Sequence, residues 1–515
     1  MKADLILFNA NVLTMDPFYP KAELIAVRGD KILRLGKNNT IKELRDSRTI
    51  IIDCKNRTVM PGFIDAHFHL HALAESSMTL NLGPRDSITS ISDIQDKIRD
   101  LSQNLLLGTW IRGGGYDEFY LTEKRHLTRW DLDRATSLHP IKLTHRSGHA
   151  HVLNSLALTL VGISEETADP PGGLIERDLN TGEPTGLLYG MGDFLTKLVP
   201  PVDEHQLEEG IRKANQKLLS FGITSIQDVS PHNDLERWCR FQRWKGEGLL
   251  KPRVTMMLGI EAFRKNPRHD FSGQVNENQL RLGGVKIILD ETTGRLNPSQ
   301  PELNDWVLNI HKLGFQVALH AIEETTIEAA CTAVEFALQK FPRSDPRHRI
   351  EHCAVCPPYL ANRLASLGIT VVTQASFIYY NGERYLRTVP HGQLKFLYPL
   401  QTLLKSGIQI AGGSDCPIVP VNPLIGIYSA VTRKAENGDV HLPEEKLSPW
   451  EATCMHTVYA SRANFEERVK GSITPNKMAD LIVLNEDPTT ISADEIKHVE
   501  VEMTILNGDV VWKRN

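Results

Sequence analysis

The chain has 515 residues, 41% of them hydrophobic and 23% charged, with a formal net charge of -5 and a pI near 6.5. This is the balance of an ordinary globular protein, it offers nucleic acid no basic stripe, and its length calls for a large α/β barrel with additions or for two to three domains. No apolar run reaches the length of a membrane span, and seven scattered cysteines without paired spacing point to a reduced, cytoplasmic protein.

Residues 4 to 59 read as short strands joined by turns: Leu5-Ile-Leu-Phe-Asn9, then Ala22 to Gly36, then Thr49-Ile-Ile-Ile-Asp53. Asp4 interrupts the opening apolar run, which is therefore not read as a secretory signal. Arg28-Gly-Asp-Lys31 is a hairpin signal between two alternating runs. The last fifty residues have the same style, with strands at Ala479 to Leu484 and Val501 to Trp512 and an Asn507-Gly508 hairpin signal. The expectation is one small β-sandwich built from residues 1–59 and 467–515.

Between these ends, residues 60–466 alternate apolar runs with helical stretches, the pattern of βα units around a parallel sheet. The first run follows the turn Pro61-Gly62 and ends in His67-Phe-His69. Side chains at i and i+2 of a strand share a face, so both histidines can reach one metal ion. Seven further strands are expected at Ile223–Val229, Arg253–Leu258, Gly284–Asp290, Phe315–His320, Arg349–His352, Ile369–Gln374 and Ile408–Asp415. Eight such strands describe a (β/α)8 barrel, whose chemistry sits at the C-terminal strand ends. Residues 72–205 are too many for one crossover and are expected to form an inserted lid and substrate subdomain. It would carry a helix from Ile91 to Leu106, a glycine-rich turn at Pro170-Pro-Gly-Gly, and the polar run Thr144 to Ser155.

Six side chains stand at or near the C-terminal ends of these strands: His67, His69, His320, His352 and Asp415, with Lys286 inside its run. A single strand histidine is often a satisfied core residue, and a lysine can snorkel out of an apolar strand. Six together are hard to explain by packing, since Lys and Asp are almost never fully buried unless paired. Weaker candidates for substrate binding are His149, Asp117, and Tyr379 and Arg384, expected on loops, where an arginine could clamp a carboxylate. Asp228 is expected to be structural, His71 a pocket wall, Asn154 either a substrate donor or a cap, and Cys353-Ala-Val-Cys356 a pair of buried thiols.

The order His-x-His, strand Lys, His, His, Gly-Ser-Asp resembles the amidohydrolase superfamily and, within it, the YtcJ-like (AepA-like) branch that includes N-substituted formamide deformylases. The phrases that carry the resemblance are Met60-Pro-Gly-Phe-Ile-Asp-Ala-His-Phe-His69, Gly148-His-Ala-His-Val-Leu-Asn-Ser155, Gly172-Gly-Leu-Ile-Glu-Arg-Asp178, Arg349-Ile-Glu-His352 and Gly413-Ser-Asp-Cys-Pro417. The resemblance implies a hydrolase of C–N bonds (amide, formamide or cyclic amide) that uses metal-bound hydroxide, with two Zn2+ ions per chain. It implies that His67, His69 and Asp415 hold one metal and His320 and His352 the other, that a carboxylated Lys286 bridges them, and that Asp415 shuttles the proton. Two departures stand out: Glu323 follows His320 in a His-x-x-Glu, as in deaminase branches, and Asp290-Glu-Thr-Thr-Gly replaces the usual Asp-Gly-Ser. The alternative is thus a mononuclear aminohydrolase with Glu323 as general acid; a non-catalytic binding protein is disfavoured because every ligand position is filled. The expected partners are a small-molecule substrate and, by default for soluble enzymes, a second copy in a homodimer, with neither nucleic acid nor membrane.

Overall fold

The computed structural model describes residues 1–170, 172–266, 279–291 and 294–515. Residue 171 of the glycine-rich turn and residues 292–293 of the Asp290-Glu-Thr-Thr departure lie outside the described residues. The chain divides into two compact units, one formed by Met1–Leu70 with Ala214–Asn515 and the other by His71–Lys213.

The first unit contains an eight-stranded sheet: β1 (Phe63–Phe68), β2 (Ile223–Asp228), β3 (Arg253–Gly259), β4 (Leu280–Ile288), β5 (Val317–Ala321), β6 (Arg349–His352), β7 (Thr370–Thr373) and β8 (Ile410–Gly412). Neighbours follow chain order from β1 to β8, and every pairing is parallel. The strands are rich in Val, Ile and Leu and buried almost throughout, as strands covered on both faces must be. The first and last strands also meet, through a parallel bridge between Phe68 and Cys416. There the Asp415 N–H donates to His67 O at 2.8 Å and the His69 N–H to Cys416 O at 3.1 Å. The seam is tight because residue 413 is glycine: a Cβ on it would lie 2.5 Å from His67 Cβ and 2.6 Å from His67 N.

The terminal segments form two sheets. One runs Lys31–Gly36, Leu24–Arg28, Leu5–Phe8, Ile50–Asp53; the other runs Asp509–Lys513, Val501–Leu506, Leu481–Leu484, Thr58–Pro61, Asn11–Leu13, Lys21–Ala22. N- and C-terminal strands join directly where Val59 pairs with Val483. Leu7, Val12, Ile25, Val59, Leu481 and Ile505 share one apolar cluster. Asn507 and Gly508, at φ 55° and 82°, make the two-residue turn that the pair signals in sequence.

The second unit has its own six-stranded sheet, in the order Leu174–Arg177, Pro184–Tyr189, Ala150–Leu153, Ile141–His145, Ile111–Tyr116, Leu80–Asn81. Ile91, Ile94 and Ile98 of a helix pack with Leu143 and Val152 of this sheet. That helix spans Ile91–Ser102 and starts with a Ser90/Asp93 capping box. It stops short of the expected Leu106, because Ser102-Gln-Asn favours turn over helix, and it leaves Leu106 and Leu107 exposed.

Candidate metal centre

The seam between β1 and β8 brings His67, His69 and Asp415 together. Asp415 Oδ1 lies 3.3 Å from His67 Nε2 and 2.9 Å from His69 Nε2, and the three donor atoms fall within 4.8 Å of one another. The other ring nitrogens face away from the cluster. His67 Nδ1 donates to Glu351 Oε2 at 2.5 Å, and His69 Nδ1 is 3.0 Å from Ser230 Oγ. A carboxylate behind Nδ1 fixes the proton there and turns the Nε2 lone pair towards the cluster, which is how proteins orient metal-bound histidines.

His320 is the last but one residue of β5, and His352 ends β6. His352 Nε2 is 3.0 Å from His320 Nδ1, while His352 Nδ1 donates to Gln374 Oε1 at 2.8 Å. The His352 ring also sits 4.8 Å from the His67 ring, centroid to centroid. Burial, aided by His67, depresses His352 to about 3, so it is held as neutral imidazole, the form that ligates. Lys286 on β4 is only 2% exposed and pairs in register with Ala318, two residues before His320. Burial lowers its ammonium to about 8 against the opposing pull of Glu351 and Asp415. A share of neutral amine at pH 7 is what addition of CO2 to a lysine requires.

Burial alone would raise the Asp415 carboxyl; His67 and His69 outweigh it and hold it well below the usual carboxylate range. Burial likewise works against His67, but the Asp415 and Glu351 carboxylates carry its imidazole upward. His352 and Asp415 both take the left-handed backbone, at φ 73° and 57°. In non-glycine residues that conformation costs energy and gathers at functional sites. Nitrogen and carboxylate donors facing one another, with His67, His69 and His352 each held from behind by a partner on the other ring nitrogen, suit a divalent ion of the zinc type.

Sequence reading missed the layer behind these residues. Glu351 and Arg349 are fully buried, and Arg349 binds both Glu351 oxygens, Gln227 Oε1 and Ala66 O. The signal was present: two charges two apart on a buried strand require partners. Asp65 is the other hidden member. Its Oδ1 accepts the His67 and Ser414 N–H groups, at 3.2 and 2.9 Å, and burial pushes it up to about 6.

The weaker candidates separate. Tyr379 and Arg384 lie on a helix, Ser376–Thr388, and not on loops. The segment has no internal proline and buries Phe377, Ile378 and Asn381 at helical spacing. Its Gly382 is forced, since a Cβ there would meet Ala435 Cβ at 2.6 Å. Glu323 is the N-cap of the helix Glu324–Lys340, and burial together with Glu291 raises its carboxyl. Asp117, His149, Asn154 and His71 belong to the second unit. His149 is exposed, and the Asp117 carboxylate pairs with Arg146 at 3.2 Å. Asn154 is structural: it accepts from Ile141 N and Ala157 N and donates to His139 O. His71 is buried beside Glu75 at 3.6 Å. Asp228 accepts from Leu70 N, Ser230 N and Asn233 Nδ2, which ties β1 to β2. Cys353 and Cys356 are buried free thiols.

A family model described as "Amidohydrolase family" matches residues 51–512. YtcJ of Bacillus subtilis (strain 168) is 30% identical, over 96% of this chain and 97% of that protein. The N-substituted formamide deformylase of Arthrobacter pascens is 28% identical, over 99% and 98%. A crystal structure of an uncharacterized metal-dependent hydrolase from Pyrococcus furiosus superposes with a TM-score of 0.73 at 25% identity, covering 94% of this chain and all of that one.

Proposed function

The chain belongs to the amidohydrolase family, and from that premise we propose that it hydrolyses the C–N bond of an amide, formamide or cyclic amide at the mouth of the barrel. The observation that carries this reading is the convergence of His67, His69 and Asp415 at the strand seam, with the facing nitrogens of His320 and His352 beside it. His67, His69, Asp415, His320 and His352 would hold the metal, with Lys286 as a carboxylated bridge if two ions bind. A bound divalent ion supplies Lewis acidity and makes water acidic enough to attack at neutral pH.

The chain's own residues do the rest. Asp415 faces both imidazoles through Oδ1, so its second oxygen takes the proton from the attacking water and returns it to the leaving nitrogen. The products of a linear amide are then a carboxylic acid and an amine, with one water consumed. Glu351 keeps its proton-accepting grip on His67 Nδ1 throughout, while Arg349 balances its charge.

A second reading, a deaminase using Glu323 as proton donor, is supported by the raised carboxyl of Glu323 three residues after His320. One set of measurements separates the two: metal per chain by plasma mass spectrometry, intact mass under native conditions, and screens for amine and ammonia release. Two ions in the barrel, a carboxyl adduct lost in Lys286→Ala, and activity of that variant partly restored by short carboxylic acids support the bridged amidohydrolase. One ion, no adduct and ammonia release from amino-heterocycles that Glu323→Gln abolishes would replace it with the deaminase.

A further inference from the structure

We propose that the His71–Lys213 unit carries an oxyanion-binding site of its own, with Lys142 and Arg112 as the cations that hold a carboxylate or phosphate of a small molecule and His151 as a third donor. The three lie on one face of the six-stranded sheet. Arg112 on Ile111–Tyr116 stands directly opposite Lys142 on the parallel strand Ile141–His145, and Thr144, two residues on from Lys142, stands opposite His151 on Ala150–Leu153. Residues two apart on a strand share a face, so His151 is the diagonal neighbour of Lys142, about 7–8 Å away and within reach of a long side chain.

The other face is the apolar core of the unit, with Ile111, Ile141, Leu143 and Val152. There the sheet is tightly covered: a Cβ on Gly113 would press on Leu82 and Leu143, at 2.7 and 2.9 Å. On the cationic face a Cβ on Gly114 would meet only Thr144 O, at 3.9 Å, and a Cβ on Gly192 only His151 Nε2, at 3.4 Å. Space is therefore left beside the polar groups and not beside the core.

Like charges directly opposite one another on neighbouring strands repel. Lys142 is half-buried and has no hydrogen bond or ion pair among the described residues, and Arg112 has one bond, to Pro200 O at 2.5 Å. Burial lowers both cations, and Arg112 lowers Lys142 further; the carboxylate that opposes this is Glu75, which lies 3.6 Å from His71 Nδ1. His151 is 5% exposed, and its Nε2 has no hydrogen-bond partner among the described residues. Its Nδ1 lies 3.2 Å from Thr144 Oγ1, and a hydroxyl donating there leaves the ring proton on Nε2 as a donor for an oxyanion. Burial, aided by Lys142, depresses His151 to about 3, so the ring is neutral. Two cations would repel a metal ion, whereas a guanidinium fork beside an ammonium matches the oxygens of a carboxylate or phosphate.

The test uses the full chain carrying His67→Gln/His69→Gln, so that no anion is held through a metal in the barrel. Inorganic phosphate and succinate are titrated separately, with affinity read by isothermal calorimetry and stability by melting temperature. At least one should bind saturably, one per chain, and the tighter of the two names the anion. Lys142→Gln and Arg112→Gln should each weaken that binding about tenfold, and Lys142→Arg should retain it. Without anion, Lys142→Gln should melt higher than its parent, because the repulsion from Arg112 is gone, and the order should reverse at saturating anion. Absence of saturable binding by either anion, or equal affinity in the parent, Lys142→Gln and Arg112→Gln, overturns the proposal. Should Lys142→Gln fail to fold, an unchanged affinity in Arg112→Gln overturns it equally.

Discussion

The two ends of the barrel strands use histidine in opposite ways. At the N-terminal end, His348 precedes β6 and His311 sits in the last turn of the helix Gln300–Lys312. The Val317 N–H donates to His348 Nδ1 at 3.0 Å, His348 Nε2 faces His311 Nδ1 at 2.8 Å, and His311 Nε2 donates to Phe341 O at 2.6 Å. Every ring nitrogen is consumed, and the proton positions follow from the chain of partners. At the C-terminal end, His67 and His69 each have one nitrogen held from behind and the other turned to Asp415, while His352 has one held by Gln374 and the other turned to His320. Burial does not distinguish the two groups, since His348 and His67 are each 1% exposed. The distinction lies in the second nitrogen: in the His311–His348 chain it ends on a backbone carbonyl, whereas at the C-terminal end it faces another candidate metal donor.

Asp415→Asn is the strongest way to break the C-terminal end. It keeps the shape and removes the proton carrier, and kcat/KM should fall 10²- to 10⁴-fold with far-UV circular dichroism unchanged; wild-type turnover would remove Asp415 from proton transfer. Glu351→Gln attacks the backing and not the ligand. Metal affinity should drop about 10- to 100-fold, and the melting temperature should fall as well, because Arg349 loses its buried counter-charge. An unchanged affinity by competition titration would make Glu351 purely structural.

At the N-terminal end the expected signature is pH dependence. Burial depresses His348 to about 3, so the unfolded chain binds a proton that the folded chain refuses. The stability this contributes is complete above about 6.5 and is lost as pH falls towards the folded value. His348→Leu should therefore melt lower than wild type at pH 7, with the gap closing by pH 4; a gap independent of pH would refute the neutral assignment. The smallest effect is expected from Ser230→Ala behind His69, where loss of one neutral hydrogen bond costs about 1 kcal/mol, roughly fivefold in metal affinity by the same titration.

Much of this was legible in the chain. The eight strand runs, the His67-Phe-His69 alternation and the Gly413-Ser-Asp415 ending all follow from period-two patterning and from the cost of burying charge. What escaped has a physical reason. Alternation along β6 assigns Glu351 and His352 to opposite faces, yet both reach His67; His352 does so because its φ of 73° turns it out of the strand, and no residue type announces that turn. Tyr379 and Arg384 read as loop residues after the seventh strand, whereas they lie in the helix Ser376–Thr388, whose Asn381-Gly382 would suit a turn but whose glycine is demanded by close packing against Ala435. The pairing of Arg112 with Lys142 depends on two strands 30 residues apart lying side by side, which local patterning does not reveal.

The seam between β1 and β8 also sets a timetable for synthesis. His67 and Asp415 stand 348 positions apart in the sequence, and their backbones meet through the Asp415 N–H to His67 O bond. During translation, β1 emerges with its last partner unmade and stays half-paired until the chain beyond residue 415 has left the ribosome. Slow closure follows from such long-range pairing, and the candidate metal-binding residues come together only at that final step. A nascent chain arrested before Ile410 would hold seven barrel strands and both histidines of the first motif, and still lack the Asp415 that faces them.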